Sequence, residues 1–252
     1  MINLLNKVVL ITGGSRGIGS ATAIMFAKAG ADVAITYQND KKAAASVLQK
    51  IRKLGREALA VRCNVANFAD VKKTVSEVYK KFGRIDVLVN NAGVWTDGAL
   101  TKMSEKVWDE TININLKGTF NMCQAVYPIM KKQKYGKMIN ISSTAGQRGE
   151  AYHSHYAASK GGVIALTKSL GAELIADGIW VNCVAPGWVI TDMTTPVFND
   201  AEYLRLIEKT IPRGKIATPE EIAGPILFLA SELSNNIVGE ILNVNGGSVL
   251  CG

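Results

Sequence analysis

Cysteine is scarce and scattered in this chain. Cys63, Cys123, Cys183 and Cys251 lie far apart and form no C-x-x-C pair. Neither a disulfide framework nor a thiolate metal motif can be read from them, and they have the pattern of reduced thiols in a cytoplasmic protein. Histidine is scarcer still, with His153 and His155 only. Two histidines so close could face one metal, but no third ligand accompanies them. No metal is expected, and both read as surface or substrate-facing loop residues. No apolar run approaches the roughly 18 residues a membrane helix needs. The opening Met1-Ile2-Asn3-Leu4-Leu5-Asn6-Lys7 lacks an apolar core ending in a small-residue cleavage site, so a soluble protein without a membrane partner is expected. There is no low-complexity tract, internal repeat or linker. Long basic runs are also missing. The net charge of +8 is spread over short clusters such as Lys41-Lys42, Lys72-Lys73, Lys80-Lys81 and Lys131-Lys132 with Lys134. These read as solvated helix faces, which argues against nucleic acid and leaves an anionic cofactor or an acidic partner.

What is present alternates. Lys7 to Thr12 is a short apolar run suited to a buried parallel strand, Ser20 to Gly30 has helical spacing, and Ala31 to Tyr37 reads as a second strand. Helices are predicted over 41–54, 68–82, 104–134, 156–176 and 220–229. Further strands are predicted over 58–63, 85–89, 137–141, 179–185 and 240–244. With 252 residues that are 48% hydrophobic, the expectation is an α/β fold: a single domain over 1–252 with a Rossmann-type, doubly wound parallel sheet of about seven strands flanked by helices. The least regular stretch, 192–211, is expected to be a loop that covers a substrate, a lid within 188–212.

Between the first strand and helix lies Gly13-Gly14-Ser15-Arg16-Gly17-Ile18-Gly19. A backbone that must bend sharply and approach a ligand closely needs glycine. The following helix offers free N–H groups and its positive dipole end to an anion, which suits a pyrophosphate.

A second constellation is Tyr156-Ala157-Ala158-Ser159-Lys160. Tyr and Lys four residues apart share one helix face. A free phenol ionises near pH 10, and a neighbouring ammonium favours the phenolate, which makes the group usable in proton transfer near neutrality. Taken alone, such a pair is far more often an amphipathic Tyr beside a solvated Lys. The context is Ser143, in Ile139-Asn140-Ile141-Ser142-Ser143 at the end of a predicted strand, where ligands bind in open α/β sheets.

The spacing T-G-x-x-x-G-x-G, through Thr12, Gly13, Gly17 and Gly19, resembles the classical short-chain dehydrogenases/reductases, and the likeness covers almost the whole chain. Asn90-Asn91-Ala92-Gly93, Asn113-Ile114-Asn115-Leu116-Lys117-Gly118, the thirteen-residue step from Ser143 to Tyr156, and Pro186-Gly187-Trp188-Val189-Ile190-Thr191 extend it in the family's order. The resemblance implies a catalytic tetrad. Ser143 would stabilise charge on the substrate oxygen, and Tyr156 would give or take its proton. Lys160 would lower the Tyr156 pKa and grip the nicotinamide ribose, and Asn115 would hold a water against Lys160. It also implies a nicotinamide cofactor held by Gly13, Ser15, Arg16, Gly17, Ile18, Gly19, Tyr37, Gln38, Asn64, Val65, Asn91, Ala92, Gly93, Tyr156, Lys160, Pro186, Gly187, Val189 and Thr191.

The second strand ends Thr36-Tyr37-Gln38 without the acid that would accept from an adenosine ribose, and Arg16 is placed to pair with a 2′-phosphate. NADP(H) is favoured, with NAD(H) left open because Arg16 also suits a plain cap on the site. Asn64 and Asn245 depart from the Asp frequent in the family. The closest general pattern is that of 3-oxoacyl-acyl-carrier-protein reductases, which implies an acyl-thioester substrate and an acyl carrier protein as candidate partner. The acidic helix from Ser169 to Asp177 weakens that partner. A sugar, polyol or secondary-alcohol dehydrogenase, and a non-catalytic cofactor-sensing protein, are the alternatives. The family and the apolar helices 115–134 and 156–176 imply a homotetramer.

Overall fold

Side chains along the first strand, β1 (Val8–Ile11), sort alternately onto two faces. Val9 and Ile11 join one apolar cluster and Leu10 joins another. The same division separates Val33 and Ile35 from Ala34, Val87 and Val89 from Leu88, and Ile139 from Met138. A strand with apolar residues on both faces must be covered on both, which is why these runs lack a polar side. The structure, a computed structural model, describes residues 2–250; the thiol expected of Cys251 lies outside them.

The chain then runs α1 (Gly17–Lys28), β2 (Asp32–Tyr37), α2 (Lys41–Lys53), β3 (Ala58–Arg62), α3 (Phe68–Phe82), β4 (Val87–Asn90), α4 (Glu105–Ile112), α5 (Gly118–Gln133) and β5 (Gly136–Ile141). It continues with α6 (Thr144–Arg148), α7 (Ser154–Leu174), β6 (Ile179–Pro186), α8 (Thr195–Phe198), α9 (Ala201–Lys209), α10 (Pro219–Ala230) and β7 (Ile241–Val244). Every strand pairing is parallel, in the order β3-β2-β1-β4-β5-β6-β7. The order reverses between β1 and β4, and that is the crevice where such a sheet binds ligands.

Local chemistry sets the ends of the elements. The Asn67 side chain accepts from the backbone N–H groups of Ala69 and Asp70 at the start of α3, and Gly83 stops that helix in a left-handed conformation, φ 74°. α10 opens with Pro219 and a reciprocal capping box between Thr218 and Glu221.

Three expectations change. The predicted helix over 104–134 is interrupted by a π-helical turn at Asn113–Lys117, an inserted residue of the kind that often marks functional sites. The region expected to be irregular, 192–211, contains α8 and α9, because Leu204, Ile207 and Ile211 recur at helical spacing and pack with Ile216, Trp188 and Phe198. The polar stretch after β5 contains α6, and α7 begins at Ser154 rather than Tyr156. No helix among the described residues is long and apolar enough to cross a membrane.

Candidate active site

The turn after β1 is built against the turn after β4. Thr12 Oγ1 accepts from the N–H groups of Asn91 and Ala92, each at 3.0 Å, and Asn91 Nδ2 donates to the carbonyls of Thr12 and Gly13 at 2.9 and 3.1 Å. Asn90 Nδ2 reaches across the sheet to Asn140 Oδ1 at 2.9 Å, and Asn140 Nδ2 donates to Thr167 Oγ1 of α7 at 3.0 Å. Two glycine-bearing turns and the helix carrying Tyr156 are thereby fixed to one another.

A cleft of about 780 Å3 opens over this edge. Its walls include Gly13, Ser15, Arg16, Gly17, Ile18, Tyr37, Gln38, Asn64, Val65, Asn91, Ala92, Gly93, Ser143, Tyr156, Lys160, Pro186, Gly187, Val189 and Thr191. Of the residues expected at the site, Gly19 and Asn115 do not line it. Gly19 packs beneath the turn: a Cβ there would collide with the Gly13 carbonyl oxygen and lie 2.6 Å from Asn91 Nδ2. Gly19→Ala is therefore expected to push the turn into the cleft and weaken cofactor binding about tenfold or more, by the cost of overpacking. Fluorescence titration with the reduced cofactor measures this, and an unchanged Kd would contradict it.

Asn115, at the centre of the π turn, is fully buried. Its Oδ1 accepts from Val94 N–H at 2.8 Å, while Nδ2 donates to the Val94 carbonyl and to Ser159 Oγ, both at 3.0 Å. Both amide protons are spent, so the side chain acts first as a brace between the β4 turn and α7. Ser159, which the sequence did not single out, passes this brace on by donating to the Tyr156 carbonyl at 2.7 Å. A Cβ placed on Gly93 would sit 3.2 Å from Asn115 Oδ1 and 3.5 Å from Lys160 Nζ, so these two side chains converge on one point of the cleft wall.

Lys160 Nζ donates to the Ile141 carbonyl at 2.8 Å and lies 5.7 Å from the centre of the Tyr156 ring. Burial pulls its ammonium down to about 8. Burial also pushes the Tyr156 phenol up to about 12; the hydrogen bond from Ser143 pulls the other way, and the Glu150 charge adds to the rise. The expected lowering of the phenol pKa by Lys160 is absent: Ser143 alone pulls it down, desolvation prevails, and the site holds a neutral phenol and, below about pH 8, a charged lysine. Ser143 Oγ accepts from Ala145 N–H at 3.1 Å, which orients the hydroxyl at the start of α6.

The histidines are not surface groups. His155 is fully buried, with Nε2 3.0 Å from Thr96 Oγ1. His153, also buried, places Nδ1 2.9 Å from the Ala151 carbonyl and Nε2 2.9 Å from Asp97 Oδ1. Thr96 and Asp97, which meet them, lie in the loop after β4, remote in sequence, so a polar neighbourhood does not mean exposure here. Asp40 lines the cleft as well. It follows Tyr37 by three residues and caps α2 by accepting from Ala43 N–H at 2.8 Å; an acid directly before a helical pattern was the signal.

α1, with Arg16 at its N-cap position, has no side-chain cap, like α5, α7 and α8 and unlike α2, α3, α4, α9 and α10. Its free N–H groups lie where Gly17 and Ile18 line the cleft, as a dinucleotide pyrophosphate requires. A doubly wound sheet with this turn at its switch point, and a Ser, Tyr and Lys at the same edge, defines an oxidoreductase that uses a nicotinamide cofactor. Residues 13–248 match the family model described as enoyl-(acyl carrier protein) reductase. The chain is 42% identical over 243 residues to the 3-oxoacyl-[acyl-carrier-protein] reductase FabG of Staphylococcus epidermidis (strain ATCC 35984), covering 96% of this chain and 99% of that protein. It is 43% identical over 249 residues to FabG of Thermotoga maritima, covering 99% and 100%. The crystal structure of gox2181 superposes with a TM-score of 0.94 at 34% identity, covering 98% of this chain and 96% of that one. The chain belongs to the short-chain dehydrogenase/reductase family.

Proposed function

We propose that this protein reduces the keto group of a 3-oxoacyl thioester with NADPH, the acyl group being carried by an acyl carrier protein, in the cytoplasm. The observation that carries the reading is the convergence of Ser143, Tyr156 and Lys160 on one cleft with the uncapped start of α1. The names of the relatives support the substrate. The family model's description speaks of an enoyl group, but a serine hydroxyl beside a neutral phenol is suited to a carbonyl oxygen.

Residues lining the cleft within 13–18, 91–93 and 186–191 would hold the cofactor, which would supply the hydride for the carbonyl carbon. Ser143 donates a hydrogen bond to the carbonyl oxygen as charge develops there. Tyr156 transfers its phenolic proton to that oxygen, which completes the alcohol. Lys160 places positive charge near the phenolate left on Tyr156 and holds the ribose. Asn115 and Ser159 keep the Tyr156 turn of α7 in register with the β4 turn. The residues of 188–212 act as the lid.

For the choice of cofactor, Arg16 supports NADPH: its side chain is 68% exposed at the cleft mouth, 4.0 Å from Asp192. The one acid near the end of β2, Asp40, is engaged at the α2 cap. Arg16→Leu is expected to raise the KM for NADPH about tenfold more than the KM for NADH, the value of a charge-assisted hydrogen bond to phosphate. Equal effects on both would contradict the assignment. A homotetramer fits the exposed Trp108 and Phe120 on α4 and α5, and sedimentation showing only monomer at micromolar concentration would refute it.

A further inference from the structure

Three segments that line the cleft each carry a ring immediately outside it. Val94 is followed by Trp95, Trp188 stands between Gly187 and Val189, and His153 precedes Tyr156 by one helical turn. These rings meet. Trp95 stacks on His153 with centroids 4.5 Å apart and planes 4° from parallel, and meets Trp188 edge-on at 5.9 Å and 85°. Trp188 in turn packs against Phe198 of α8 at 5.8 Å.

Trp95 is held on several sides. Its Nε1 donates to Glu150 Oε2 at 3.4 Å. Its stacking partner is fixed by the Ala151 carbonyl and Asp97. Trp188 is anchored in the apolar cluster of Ile207, Ile211 and Ile216. The strand-like bridge between Gly98 and His153, with Gly98 N–H donating to the Tyr152 carbonyl at 2.8 Å, binds the Trp95 loop to the start of α7. Rings at these separations are in contact and leave no passage for an alkyl chain between them. The Trp95 backbone also lies close to the reacting groups. Gly93 abuts Lys160, and two peptide units bring the Trp95 Cα to within about 7.6 Å of the Gly93 Cα.

We infer that the Trp95–Trp188 contact closes the acyl end of the cleft and selects short-chain 3-oxoacyl groups, with Trp95 as the specificity-determining residue. This rests on the ketoreductase reading above. A 3-oxobutanoyl group has a single methyl beyond its keto carbon and fits in front of the wall, whereas each added methylene must displace a ring held in place on several sides. One surplus methylene in a filled apolar pocket lowers kcat/KM by roughly tenfold or more.

The experiment measures kcat/KM for the N-acetylcysteamine thioesters of 3-oxobutanoate, 3-oxohexanoate and 3-oxooctanoate with NADPH, in the parent and in Trp95→Ala and Trp95→Phe. The parent is expected to favour 3-oxobutanoyl over 3-oxooctanoyl at least about tenfold per added methylene pair. Trp95→Ala should raise the octanoyl-to-butanoyl ratio at least about tenfold, and Trp95→Phe, which keeps a ring in the stack, should hold the ratio near the parent's. A loss of packing alone would lower all three substrates together and leave the ratio where it was. A parent without chain-length preference overturns the inference even if Trp95→Ala does not fold, and so does a ratio untouched by Trp95→Ala. If no thioester is turned over, the ketoreductase reading fails, and the same ratio is read from 2-butanone and 2-octanone. A shift there on Trp95→Ala sustains the wall with a different substrate, and no shift or no turnover overturns it.

Discussion

Tyr156→Phe lowers reductive turnover by about 10²–10⁴-fold, the usual share of a positioned general acid, while reduced cofactor still binds. The phenylalanine ring fills the same space and removes only the hydroxyl. What is lost is the proton donor, which burial keeps protonated up to about pH 12. The parent's pH profile follows from the second group. Tyr156 holds its proton throughout the working range, whereas Lys160 loses its proton as pH rises through about 8. The phenolate formed in the reaction then lacks a compensating charge. Reductive kcat/KM should be level below about pH 8 and fall above it. Turnover by Tyr156→Phe within about tenfold of the parent would remove Tyr156 from the chemistry.

Lys137→Met destabilises the fold by about 3 kcal/mol, within the range for breaking a buried polar network. Lys137 is fully buried in β5, in the apolar interior of the sheet. Its three donors go to the Ser231 carbonyl at 2.6 Å, Ser234 Oγ at 2.9 Å and Asn235 Oδ1 at 2.9 Å. Its ammonium lies 5.2 Å from the Trp180 ring, whose Nε1 donates to the Asn235 carbonyl at 2.8 Å. Burial pulls the ammonium down to about 8, so near neutrality it keeps its charge and all three donors. A methionine fills the volume but leaves acceptors at the C-terminal end of α10 facing apolar atoms. Urea unfolding at fixed protein concentration measures the loss, and an unchanged midpoint would contradict the account.

The βαβ alternation and the sheet were legible because apolar periodicity and glycine punctuation repeat within a few residues of each other. The resemblance placed Ser143, Tyr156 and Lys160, and the structure sets them in one cleft with the glycine turn. What the sequence withheld depends on contacts remote in the chain. Lys137 looked like an ordinary strand residue because its acceptors lie nearly a hundred positions away. His153 and His155 looked exposed because their neighbours are polar, yet Asp97 and Thr96 meet them from another loop. The π turn has no composition of its own; two asparagines inside an apolar helical pattern were its only trace. The helix over 201–209 does leave a trace in the sequence, since Asp200 accepts from Glu202 and Tyr203 N–H as an N-cap and Leu204, Ile207 and Ile211 follow at helical spacing.

The most direct test is the initial rate of NADPH oxidation with acetoacetyl-CoA, run beside NADH and beside NADP⁺ reduction with a panel of sugars and secondary alcohols. The account predicts rapid reduction of the 3-oxoacyl thioester, with NADPH preferred to NADH. Turnover confined to sugars or alcohols would contradict the substrate, and a preference for NADH would contradict the role given to Arg16.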